Sequence, residues 1–73
     1  MRTIIEVLGC ESWVSEASDG LAKEHARTYL IVQDDLGNTE EAVGYGLDYA
    51  IGDSVQVFFD DKHNMIKAIK NRV

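Results

Sequence analysis

RTYLIVQDDLGNTEEAVG, Arg27 to Gly44, decides how this chain folds. Tyr29, Leu30, Ile31 and Val32 follow one another without a polar interruption. The run is too short for a buried helix and rich in β-branched and aromatic side chains. It reads as a strand covered on both sides, or as one whose outer face binds something. Asp34 to Asn38 then supplies a polar turn in which Gly37 or Asn38 can take a positive φ. Thr39 to Gly44 returns as a second strand, so the stretch is a hairpin.

Outward from that hairpin, strand signals continue in both directions. Thr3 to Gly9 is rich in β-branched residues and ends at glycine, and Ser12 to Ser15 alternates as an extension of the same sheet edge. Ser18-Asp19-Gly20 reads as a turn, and Leu21 to Ala26 as one helical turn with Ser18 as its cap, or else as an extended surface loop. Leu47 to Ile51 is too short for an independent helix and suits a single helical turn plugging one end of a barrel. Ser54 to Asp60 alternates, with Val55, Val57 and Phe59 on one face and Phe58 on the other. Asp60 to Asn64 is a polar turn before a last strand over Met65 to Val73. The expected core is Ile5, Val7, Leu30, Val32, Val43, Val55, Val57, Phe59, Ile66 and Ile69.

Five short strands in 73 residues predict an all-β fold, a small five-stranded antiparallel barrel with one short helical turn. Closing the sheet removes edges that so small a chain would otherwise expose. Ile51 to Val57, followed by a polar turn and Ile66-Lys67-Ala68-Ile69, resembles the closing hairpin of OB-like and SH3-like barrels. That resemblance covers about the last third of the chain and concerns fold alone, since one fold hosts many functions. Residues 1–73 read as one domain, without proline, repeat or linker. A chain of this size buries only roughly 60–65% of its unfolded surface and so has a small stability margin.

The charge is −6 and unevenly spread. Residues 1–61 hold all thirteen acidic side chains and three basic ones, Arg2, Lys23 and Arg27; the last twelve residues hold Lys62, Lys67, Lys70 and Arg72 and no acid. An acidic body repels phosphate backbones, whose affinity for proteins depends on basic contacts. A basic edge on such a body can orient a partner electrostatically. The single cysteine, Cys10, allows no internal disulfide, and with no export signal or membrane-length apolar run the sequence reads as that of a cytoplasmic protein.

Catalytic and metal chemistry find little support. Nothing in the spacing brings His25 or His63 beside Cys10, and a lone cysteine commonly serves as a small buried hydrophobe. Asp60, Asp61, His63 and Asn64 share a turn but match no zinc or calcium pattern. The reading therefore carries no enzyme activity, no cofactor and no metal. The aromatic set is more informative, because its six rings exceed what one small interior hides. Trp13, Tyr29 and Phe58, with Lys67, Lys70 and Arg72, form the expected binding surface; Asp34, Asp35, Glu40 and Glu41 form the expected acidic surface. Such a surface anchors a protein partner or a second copy of the chain. The alternative is weak binding of single-stranded nucleic acid by stacking, disfavoured by the net charge.

Overall fold

In the computed structural model, residues 1–16 and 20–71 are described. Five strands make up the fold: β1 (Arg2–Glu16), β2 (Ala22–Gln33), β3 (Thr39–Tyr45), β4 (Ser54–Asp60) and β5 (Met65–Lys70). They belong to one sheet, and there is no helix among the described residues. The pairings run β1–β2–β3–β5–β4, and β4 returns to β1 through Arg2↔Val55 and Thr3↔Ser54. All are antiparallel except β3–β5, which meet in parallel at Val43↔Lys67 and Gly44↔Ala68. This corrects the expectation of a wholly antiparallel arrangement. The chain crosses from β3 to β4 without pairing them, so the β4–β5 hairpin brings β5 back running the same way as β3.

The core lies inside this ring. Ile4, Leu30, Val32 and Val55 are fully buried, with Ala42 and Ala68 beside them and Tyr49, Val57 and Ile66 packed against them. Burying each large aliphatic side chain is worth about 1.5–3 kcal/mol. The small residues have a reason. Gly44 faces the Tyr49 ring so closely that a Cβ there would lie 2.5 Å from a ring carbon. The Tyr49 hydroxyl donates to the Ala68 carbonyl at 3.3 Å.

Tyr49 thus plugs the interior as the sequence suggests, but the helical turn expected over Leu47 to Ile51 is not formed. Asp53 captures the segment instead. Its carboxylate accepts from Ala50 N at 2.9 Å, and its own N–H donates to Ala50 O at 3.1 Å. Gly52 closes that turn at a φ of 97°. Local side-chain bonding of this kind competes directly with a short helix.

Four expected core residues lie outside. Ile5, Val7, Phe59 and Ile69 are all substantially exposed, and Ile4 and Ala68 take the inward positions. On β1 the register against β2 shifts between Ile4 and Glu6 and again between Val7 and Gly9, so simple alternation fails there. On β5 the alternation runs inward through Ile66, as expected, and Ala68, which leaves Ile69 facing out.

β1 and β2 outrun the ring. They pair continuously from Gly9↔Tyr29 to Glu16↔Ala22, so of the segment from Leu21 to Ala26, expected as a helical turn or loop, Ala22 to Ala26 is strand. The resulting ribbon gives the molecule its long axis, 47 Å against 25 and 24 Å. The expected turn at Ser18 and Asp19, and the capping role of Ser18, fall outside the described residues. Cys10 sits on the ribbon and is exposed, not buried.

Candidate functional site

The outward side chains of the strands line up across the sheet. Strand alternation places Leu30 and Ala42 inward and their neighbours Tyr29 and Val43, which pair with one another, on the other side of the sheet, where Val43 is nonetheless buried. Val43 in turn pairs with Lys67, and Lys67 with Phe58. One residue pair further along, Arg27 lies opposite Tyr45 on β3 and opposite Glu11 on β1. Beyond it, Trp13 lies opposite His25. The outward surface therefore carries Trp13, Tyr29 and Tyr45 around Arg27, with Lys67 and then Phe58 following around the ring.

These side chains hold one another in place. The Trp13 and His25 rings stack with centroids 5.3 Å apart, and the Arg27 guanidinium lies 4.6 Å from the centre of the Trp13 ring. Arg27 Nε lies 2.8 Å from Glu11 Oε1, and the Tyr29 hydroxyl donates to the same oxygen at 2.7 Å. That bond to Glu11 raises the Tyr29 pKa. Further along, the Lys67 ammonium sits 4.6 Å from the centre of the Tyr45 ring and forms an ion pair with Asp60. Lys67 holds the Asp60 carboxyl well below the usual range, with His63 assisting at 2.8 Å; Asp60 in turn raises Lys67.

The expected binding residues thus divide. Trp13 and Tyr29 meet through Arg27 and Glu11, and Lys67 reaches Tyr45, whereas Phe58 joins them only through its pairing with Lys67. Lys70 does not join them: it lies 3.3 Å from Asp53 and donates to the Asp48 carbonyl at 2.6 Å, tying β5 to the β3–β4 connection. Arg72 lies outside the described residues. Sequence reading passed over Tyr45, His25 and Glu11 as members of this face. The alternation of His25, Arg27 and Tyr29 was visible, but only if Ala22 to Ala26 is taken as strand.

The acidic surface also divides. Asp34 is structural. Despite some desolvation, N–H donors from Asn38 and Leu36 hold its carboxyl low, and it closes the β2–β3 turn. Glu40 pairs with Arg2 at 3.3 Å. Asp35 and Glu41 are exposed and carry no ion pair among the described residues. Glu41 borders a pocket of about 430 Å³ that opens onto the core, walled by Leu8, Leu30, Ala42, Phe59 and Ile66, one from each strand.

Ser15 Oγ lies 2.7 Å from His25 Nε2, a nucleophile–base distance, yet both sit on the open ribbon and Trp13 covers the imidazole. Among the described residues no three His, Cys, Asp or Glu side chains gather as a metal would require, and no helix is long and apolar enough to cross a membrane. Compared with known proteins, the chain matches no family model, no curated protein and no solved structure.

Proposed function

We propose that this chain is a non-enzymatic protein-interaction module. It docks a basic partner protein on the aromatic face formed by Trp13, Tyr29, Tyr45 and Phe58. The observation that carries this reading is the state of the cations on that face. Arg27 is bound to Glu11 and Lys67 to Asp60. A phosphate backbone would have to displace carboxylates of the same chain before it gained either contact. Aromatic anchors beside cations already ion-paired within the chain suit a protein interface instead. Charge left over points the same way: among the described residues Glu6, Glu16, Glu24, Asp35, Glu41 and Asp61 carry no ion pair, against Lys23 and Lys62. A surplus of free carboxylates steers a basic partner.

Weak binding of single-stranded nucleic acid is the second reading. The strand order favours it: three consecutive strands pair in turn, and β5 rather than β4 then lies beside β3. This supports the OB-like over the SH3-like barrel. The exposed rings offer stacking platforms.

Two experiments separate the readings. A photo-crosslinking residue placed at Tyr45 or Phe58 should capture a protein in cells, whereas one at Leu36 on the β2–β3 turn should not. Equal capture from all three positions counts against the aromatic face. A titration with a mixed-sequence single-stranded DNA at low salt, followed by amide NMR, should leave the spectrum unchanged. Shifts at Tyr29, Phe58 and Lys67 that vanish with added salt would replace the protein-interaction reading with the nucleic-acid one.

A further inference from the structure

β1 has two edges, and they are treated differently. The edge toward β2 is paired almost along its whole length. The other edge meets β4 only at Arg2 and Thr3. Ile4 then uses both of its backbone groups on the β3–β4 connection, donating to Asp53 O at 2.9 Å and accepting from Gly52 N at 2.8 Å. From Ile5 to Glu16 no backbone bond on that edge is present among the described residues. Twelve strand residues extend about 40 Å. A row of unpaired N–H and C=O groups of that length is a template for another strand.

The side chains along it specify the guest. Between Thr3 and Glu16 there are three glutamates and no basic residue. Ile5, Val7, Leu8 and Val14 are all more than a third exposed. Glu6 and Glu16 have no ion partner among the described residues. A second copy of the chain is a poor guest. Two β1 edges paired antiparallel about Glu11 would set Glu11 against itself, and like charges directly opposite are destabilising. Each molecule also carries −6.

We infer that the open edge of β1 is a strand-addition site for an extended segment of a partner protein in which apolar residues alternate with lysine or arginine. The guest pairs its backbone with Ile5 to Glu16, lays its apolar side chains on the side of the sheet that carries Val7 and Val14, and sets its cations on the other side, with Glu6 and Glu11. Main-chain bonds provide the affinity and side chains the selection. The site is the backbone edge of β1, and of the four rings of the aromatic face only Trp13 stands on that strand.

The probe is a blocked eight-residue peptide of alternating lysine and valine, titrated into the full chain and followed by amide NMR and hydrogen exchange. Amide shifts should fall on residues 5–16, with slowed exchange there. The same peptide carrying N-methyl groups on alternate residues should fail to bind, and one with glutamate in place of lysine should not bind. Glu6→Lys, at an exposed position without an ion partner among the described residues, should weaken the lysine peptide by about fivefold. Undiminished binding of the N-methylated peptide would overturn strand addition, because charge attraction alone would then suffice. Equal binding of the glutamate peptide, or self-association of the free protein through residues 5–16, would overturn the choice of guest. Because the aromatic-face reading is read out by cross-links at Tyr45 and Phe58, either proposal can fail while the other stands.

Discussion

The ring and the ribbon are cut from the same two strands, yet they are held by different forces. In the ring, β1 and β2 contribute Ile4, Leu30 and Val32, all without solvent exposure. Beyond Glu11 and Arg27, where β3 ends at Tyr45, the same strands keep their pairing but have no third strand beside them. There the stabilising contacts are a stacked Trp13 and His25, a guanidinium on the indole and a carboxylate shared by Arg27 and Tyr29. A two-stranded ribbon in water is marginal by itself. The lesson is that backbone pairing sets how far a strand runs, while burial sets how much of it is stable.

Leu30→Ala should break the ring hardest. It removes a fully buried side chain from the centre of the core and should lower unfolding free energy by about 2–5 kcal/mol in urea denaturation. Gly44→Ala should cost about 1–3 kcal/mol, because its new methyl must displace the Tyr49 ring. If thermal melts of this variant match the parent, Tyr49 is not the plug described.

Acid should strike the ring rather than the ribbon. Asp60, Asp53 and Asp34 are held low by Lys67, by Ala50 N–H, and by Asn38 and Leu36 N–H groups respectively, and all three sit in turns of the ring. The fold favours their ionised forms. Their stabilisation is therefore whole above about pH 4 and is lost as the pH falls from there toward the lowered folded-state values. Melting temperatures measured at pH 7, 5, 3 and 2 should stay level to pH 5 and drop below it, with a shallower drop in Asp60→Asn.

The smallest effects belong to the ribbon. Trp13→Ala should cost about 0.5–1.5 kcal/mol from the lost stack and cation–π contact, and it should speed amide exchange in the ribbon alone. Val14→Ser should change stability by under about 0.5 kcal/mol. A cost as large as that of Leu30→Ala at either position would mean that the ribbon packs on something.

The hairpin from Arg27 to Gly44 was legible because every local signal agrees there: an unbroken apolar run, an Asp-rich turn and a glycine at 89° in φ. β4 was legible for the same reason. The inward residue of β1 was not, because Ile4 and Ile5 are adjacent and chemically equivalent, and two register shifts reset the alternation. On β5 the inward place of Ile66 was legible but the outward one of Ile69 was not, because the core takes Ala68 beside the bulk of Tyr49, which arrives from another part of the chain. Of the candidate site, the aromatic residues could be named from sequence. That Lys67 and Lys70 are occupied by Asp60 and Asp53 could not, since those pairs arise from strand order and turn geometry.

Trp13 is the one tryptophan of the chain, and it stands on the ribbon against His25 and Arg27. Its emission is an optical reporter of the ribbon and is nearly blind to the ring, where Tyr49 is the ring-side chromophore. Fluorescence and circular dichroism are therefore two independent gauges of two parts of one molecule. Midpoints that separate between them would record fraying of the ribbon ahead of the ring, and a guest strand lying along β1 would be seen first as a change in the colour of that single indole.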